Sequence, residues 1–253
     1  MNICYISNSA LPSDNASSLQ IIKMCENFEL QGNKVVLILP NTGFKYSVKK
    51  FYDLKKKIQI IRCKYFKKFP IGINYYLYAF IAILKSLCLK VDVYVTRNYF
   101  CAFLLVLMGK KIVFELHHDL EIEGRITKFL VKKLKFLKSK NVKIVVAITY
   151  SISKYYLSKD LINKSNLVIL PSASDLKLKY DKQRKFKKIF NIGYFGNFYK
   201  SRGSEFMINL AKKDKYNNYF IYSKFNNQEM LIKKNIKNIF FRDFVNRREI
   251  PSH

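Results

Sequence analysis

The first forty residues constrain the fold most. Residues 2–7 form a short apolar run, and residues 8–18 a loop of small and polar residues containing Pro12. Ile21, Ile22, Cys25 and Phe28 then recur at helical spacing up to Gly32, a helix stop. Residues 35–39 are a second apolar run, closed by Pro40. Strand, loop, helix, strand is how a parallel, doubly wound α/β sheet opens. The loop carries Ser and Asn where a nucleotide fingerprint would carry glycines, so by itself it identifies no nucleotide site.

The alternation continues. Residues 58–62, 92–96, 111–116, 142–148 and 167–170 read as strands. Residues 71–89 read as a helix with Tyr75, Tyr76 and Phe80 on its body, and 99–108 and 151–157 as further helices. Residues 41–57 are polar and poorly patterned. Residues 171–188 turn polar and basic. We expect a first domain over 1–175, a linker over 176–188 and a second domain over 189–253.

The second domain opens on Ile189, Phe190 and Ile192, an apolar run of the kind a buried parallel strand shows. Gly193, Gly196 and Gly203 then break it, with Lys200 and Arg202 before the last of them, and Phe206, Met207 and Leu210 follow at helical spacing. Strand, glycine loop and helix start suit a phosphate, through close backbone approach and unpaired N–H groups. An ordinary turn with solvated basic residues has the same pattern. Residues 219–222 and 239–241 read as strands with a short helix over 228–232 between them. Roughly 65 residues fall short of the ~100 that a doubly wound domain needs, so the second domain is expected to be incomplete.

Net charge is +30, from 47 basic and 17 acidic residues, which draws the chain to anionic lipid, nucleic acid or phosphorylated substrates. The scarcity of Gly and Pro and the absence of Trp beside abundant Lys, Ile and Asn would also follow from an AT-rich genome. Cys4, Cys25, Cys63, Cys88 and Cys101 are far apart, contain no CxxC pair, and read as reduced core residues of a cytosolic protein. Residues 69–84, the longest uncharged run, are too short to span a bilayer comfortably.

Residues 125–140 read as an amphipathic helix. Ile126, Phe129, Leu130, Leu134 and Leu137 lie on one side, and Lys128, Lys132, Lys135 and Lys138 on the other. The charged side is a solvated face or a contact with an anionic membrane. Two of the three histidines fall in Glu115-Leu-His-His-Asp119, at the carboxyl end of a strand, where open α/β sheets bind ligands. There His117 is the candidate substrate contact. A metal on His117, His118 and Asp119 is disfavoured, because neighbours on an extended chain point apart.

Laid out in order, the chain resembles the retaining glycosyltransferases of family 4 (group 1). The matching stretches are the Pro12 to Ser18 loop, Val93-Tyr-Val-Thr-Arg97, Phe114-Glu-Leu-His-His-Asp119 and Ala147-Ile-Thr-Tyr-Ser151. They continue in Val168-Ile-Leu-Pro-Ser-Ala-Ser-Asp175 and Ile192-Gly-Tyr-Phe-Gly-Asn-Phe with Arg202-Gly203. The resemblance implies an α/β, GT-B protein of two Rossmann-like domains with parallel sheets, acceptor-side first and donor-side second.

It further implies a nucleotide-diphosphate sugar as donor, a cell-surface glycan or lipid-linked acceptor, and no metal or other cofactor. His117 would be the catalytic-site histidine touching the donor sugar. Gly196, Lys200, Arg202 and Gly203 would bind the donor's diphosphate. The loop with Ser13, Asn15, Ala16, Ser17 and Ser18 would lie near the reaction centre.

Departures from the family pattern are Asn197, where a second cation is usual, and Ala16-Ser17-Ser18, where a glycine pair is common. The family's donor-binding glutamate pair belongs beyond residue 253. Glu115 and Glu123 share its spacing but lie in the first domain, and read as chance. These departures keep two further readings open: a non-catalytic remnant, or a basic protein binding anionic membrane or nucleic acid. Nucleic acid is disfavoured, since no recognition module appears and the aromatics sit in apolar runs. The expected location is the cytoplasm, peripheral to the inner face of the cell membrane through Lys128, Lys132 and Lys135.

Overall fold

The computed structural model describes residues 1–13, 15–41, 43, 47–66, 70–173, 189–198, 203–223, 236–245 and 250. The chain divides into two compact units, Met1–Ser174 and Asp175–His253. The first is a seven-stranded sheet in the order β3-β2-β1-β4-β5-β6-β7, every neighbouring pair parallel. Its strands are β1 (Asn2–Ile6), β2 (Lys34–Pro40), β3 (Gln59–Cys63), β4 (Val93–Thr96), β5 (Ile112–Leu116), β6 (Val142–Ala147) and β7 (Leu167–Ile169). The helices are α1 (Ala16–Leu30), α2 (Val48–Tyr52), α3 (Ile71–Leu87), α4 (Tyr99–Leu107), α5 (Arg125–Lys132) and α6 (Tyr150–Ser158).

Strand β1 shows why the sheet is doubly wound. Its side chains alternate between two apolar layers, as strand geometry requires. Ile3 and Tyr5 pack with Ile21, Ile22 and Cys25 of α1. Cys4 and Ile6 pack with Tyr78, Ala79 and Ala82 of α3 and with Cys101 and Ala102 of α4. Chain order reverses at β1, which pairs with β2 on one side and β4 on the other. That reversal is the topological switch point, where such sheets leave a crevice at the strands' carboxyl ends. Thr96 closes the ladder there: its hydroxyl donates to the Ile6 carbonyl (2.8 Å) and accepts from the Asn98 amide (3.0 Å).

Several expectations change. Ala16, Ser17 and Ser18 are not loop but the first turn of α1. The stretch over 41–57 contains α2, capped by Ser47, whose side chain accepts from the Lys50 amide. The amphipathic helix ends at Lys132. Lys135 adopts a left-handed conformation (φ 45°), and Phe136–Lys138 form a 3-10 turn that sends Phe136 and Leu137 into the core. The predicted stripe is thereby split. Leu130 and Leu137 are buried, whereas Ile126, Phe129 and Leu134 are half exposed. Four cysteines are buried as expected, but Cys88 is exposed.

The second unit holds β8 (Asn191–Phe195), α7 (Ser204–Lys213), β9 (Asn218–Tyr222) and β10 (Ile239–Arg242). They form a parallel three-stranded sheet in the order β10-β9-β8. Its core is Phe198, Ile208, Ala211, Tyr219, Ile221 and Ile239. Ile189 and Phe190 are not the buried strand start expected; both are exposed and precede β8. Gly193 does not break the strand but lies inside it. The break comes at Gly196, whose φ of 148° favours glycine. The helix expected over 228–232 and the linker expected over 176–188 lie outside the described residues.

Candidate functional site

At the carboxyl ends of β1, β4 and β5 lies a cavity of about 220 Å³. Ser7, Asn8 and Ser9 reach it from the end of β1, Arg97 and Tyr99 from the end of β4, and Glu115, His117 and His118 from β5 and its continuation. Ser17 of α1, Tyr75 of α3 and Glu123 complete the lining. Apart from Ser17 and Tyr75, which stand on helices, these residues meet because each follows, or in the case of Glu115 lies within, a strand whose register is fixed by the sheet.

Glu115 is the centre of the electrostatics. Its side chain is only 2% exposed, and its Oε2 accepts from Arg97 Nε (2.7 Å), His117 Nε2 (3.1 Å) and the Tyr5 hydroxyl (3.2 Å). Burial pushes this carboxyl up, but the hydrogen bond from His117 and the charge and hydrogen bond of Arg97 outweigh it. Glu115 is therefore held below the usual carboxylate range and is ionised at neutral pH. Its Oε1 and Arg97 Nη2 are buried with no hydrogen-bond partner among the described residues. The Tyr5 phenol is pushed well above its ordinary value by burial and by the Glu115 charge.

A second acid–imidazole pair lies beside the first. His118 Nε2 is 3.3 Å from Glu123 Oε1, and His118 Nδ1 is 2.8 Å from the Asp119 carbonyl. Burial raises the Glu123 carboxyl, against the opposing charges of His118 and Lys128. Two acids of one cavity thus move in opposite directions. The Tyr99 and Tyr156 hydroxyls, 2.6 Å apart, close the wall behind His118. No cluster of three His, Cys, Asp or Glu side chains is arranged to hold a metal among the described residues.

Of the residues expected from sequence, His117 and Ser17 line the cavity. Ser13 and Ser18 instead bond to each other through their hydroxyls (2.8 Å), and Ser18 also donates to the Ala10 carbonyl, bracing the β1–α1 loop. Asn15 and Ala16 are exposed at the start of α1. In the second unit, Gly203 has a left-handed φ of 84° and stands at the N-cap of α7, where it offers no side-chain cap. Lys200 and Arg202 lie outside the described residues.

Sequence reasoning passed over Arg97, Glu115 and Glu123 as site residues. The signal available was Glu115 itself, an acid within Ile112-Val-Phe-Glu-Leu116, since a charge in a buried strand needs a partner. The spacing of Glu115 and Glu123, read as chance, belongs to two acids of the same cavity.

A scan of the sequence against known protein families finds no match, and a search of curated proteins finds none either. Solved structures do match. Sucrose-phosphate synthase from Thermosynechococcus elongatus aligns with a TM-score of 0.72 at 12% identity, covering 99% of this chain and 72% of that one. Anabaena Alr3699/HepE in complex with UDP and glucose aligns with a TM-score of 0.66 at 13% identity, covering 99% and 71%. A glycosyltransferase from Rickettsia africae ESF-5 gives 0.64 at 16%, covering 99% and 70%. The fold is GT-B. At these identities the likeness is one of architecture: a seven-stranded and a second, smaller parallel sheet of an α/β protein.

Proposed function

We propose that this protein is a glycosyltransferase that takes a sugar from a nucleotide-diphosphate donor and passes it, with retention of configuration, to a glycan or lipid-linked acceptor. The observation that carries the reading is the cavity at the switch point of a GT-B sheet, where Arg97, Glu115 and His117 converge beside Ser7, Asn8 and Ser9. Hydroxyl-rich ligands suit such a mixed set of donors and acceptors. A GT-B neighbour, Anabaena HepE, is found with UDP-glucose.

In this reading His117 contacts the transferred sugar. Gly196 and Gly203 let the second unit's backbone approach the diphosphate, and Lys200 and Arg202 neutralise it. Departure of the nucleoside diphosphate builds negative charge, which the Arg202 guanidinium and the positive end of α7 would stabilise without a metal. The leaving phosphate itself assists the acceptor hydroxyl, so no protein nucleophile is needed.

The acceptor side suggests a membrane surface. Ile122, Ile126, Phe129 and Leu134 are exposed on or beside α5. The lysines expected to lead that contact are engaged elsewhere. Lys128 and Lys132 converge with Lys159 on Glu121, and Lys135 and Lys138 on Asp160. Arg125 and Lys133 have no ion pair among the described residues, and with the apolar side chains they would make the contact with anionic lipid. No helix is long and apolar enough to cross a membrane among the described residues. A peripheral enzyme at the inner face of the cell membrane fits these features.

The test is a melting screen of the chain against UDP, GDP and their sugars. A ligand at a hundred times its Kd should add about 2.7 kcal/mol of stability. His117→Ala should weaken binding of the sugar nucleotide while sparing the bare nucleoside diphosphate. No response to any nucleoside diphosphate or its sugars would sink the proposal.

A further inference from the structure

Glu115 is unusual in giving one oxygen to three donors while its other oxygen has none. Oε2 takes Arg97 Nε, His117 Nε2 and the Tyr5 hydroxyl, and Oε1 is buried without a partner among the described residues. A carboxylate only accepts hydrogen bonds, so the His117 ring must place a hydrogen on Nε2 to meet it. In the neutral ring Nδ1 is then a bare acceptor, and it has no hydrogen-bond partner among the described residues. Arg97 is held through Nε in the same way, which leaves Nη2 as a buried donor without a partner there. Both side chains line the one cavity.

We propose that Glu115 is the positioning residue of this site, fixing His117 as the Nε2–H tautomer and Arg97 in orientation so that Nδ1 and Nη2 together read a ligand hydroxyl. A hydroxyl gives its hydrogen to Nδ1 and accepts from Nη2. A phosphate oxygen can satisfy Nη2 but has no hydrogen for Nδ1. The pair therefore selects the sugar of a sugar nucleotide rather than its diphosphate, an assignment that rests on the glycosyltransferase reading. The tautomer does not depend on that reading.

The chain has only three histidines, His117, His118 and His253, so long-range proton–nitrogen spectra of the full chain with labelled histidine are readily assigned. At alkaline pH, where imidazoles are neutral, His117 should show a protonated Nε2 and a bare Nδ1. Glu115→Gln, whose amide can accept or donate, should move that ring toward a mixture while the His118 and His253 signals and the circular dichroism stay in place. A wild-type Nδ1–H tautomer overturns the proposal, and so does an unchanged His117 in a folded Glu115→Gln chain. If that variant does not fold, the wild-type tautomer alone still decides.

The ligand half is tested by adding UDP- and GDP-sugars against UDP and GDP. Nδ1 should shift with a sugar nucleotide and not with its bare nucleotide. A shift with the bare nucleotide, or with no member of the panel, overturns the hydroxyl assignment. Loss of the melting response to every nucleotide would instead remove the transferase reading, with the tautomer result unaffected.

Discussion

Replacing Arg97 with methionine should reveal how much of the first unit's stability is committed to the site. The Arg97 side chain is 14% exposed and the Glu115 side chain 2%, so the substitution keeps the apolar stem and strands a buried charge. Breaking a buried pair from one side costs about 3–5 kcal/mol. Tyr5 and His117 still donate to the carboxylate, which points to the lower end. Against a typical stability of ~5–15 kcal/mol this is large. At ~2–4 °C per kcal/mol for a unit of this size, melting should fall by roughly 6–20 °C.

The loss should depend on pH in a fixed direction. Glu115 is depressed in the folded wild type, so its contribution is full above the ordinary carboxylate range and is lost as pH falls through the depressed value. In Arg97→Met burial pushes the carboxyl up unopposed by the guanidinium. The gap between wild type and variant is therefore widest near neutral pH and narrows toward about pH 4.5. Urea melts followed by tyrosine fluorescence at both pH values measure it. Arg97→Met with Glu115→Leu should recover most of the loss, because no charge is then stranded. A single variant within about 1 kcal/mol of wild type at neutral pH, or a gap that ignores pH, would refute the reasoning.

Phe129→Ser should leave stability within about 0.5 kcal/mol, since the ring is exposed, yet weaken binding to anionic vesicles in a flotation assay. Its neighbour Leu130, buried in the core, should lose about 2–5 kcal/mol on change to alanine in a urea melt. Glu121, lowered to about 2 by hydrogen bonds from Tyr155, Lys159 and Lys132, holds cations that Glu121→Gln would free. That variant should bind anionic vesicles roughly fivefold more tightly at low salt, an effect lost at high salt. At Gly193 a Cβ would lie 2.8 Å from Phe195 Cε2, and Phe195 stacks on Tyr222 at 4.6 Å. Gly193→Ala should rotate that ring away, changing the near-ultraviolet dichroism and costing ~1–3 kcal/mol.

Strands β1, β2, β4 and β5 were legible in the sequence because buried parallel strands are continuous apolar runs. Helix α2 was not, since its five residues sit in a polar stretch without periodicity. The early end of α5 was hidden because Leu134 and Leu137 continue its stripe, and only the left-handed Lys135 re-aims them. Gly193 was read as a break, but nothing in its backbone departs from the strand, and of the three glycines it is Gly196 and Gly203 that carry a positive φ. The site was half legible. His117 followed from its place at a strand end. The roles of Arg97 and Glu115 did not, because the pair is eighteen residues apart and its geometry exists only once β4 and β5 lie side by side.

Apart from Glu115, the groups that face the cavity hang from segments outside the strands, whereas the sheet is held by backbone bonds and two apolar layers. A lineage can therefore rewrite its ligand by exchanging 7–9 or 117–123 without disturbing the architecture that presents them. Sharing a fold at 12–16% identity is what such a division of labour allows. Glu115 stands on both sides of the division, inside a ladder and inside the cavity. Tyr5, Arg97 and His117 all donate to it, so a change at this one acid would strand three donors at once.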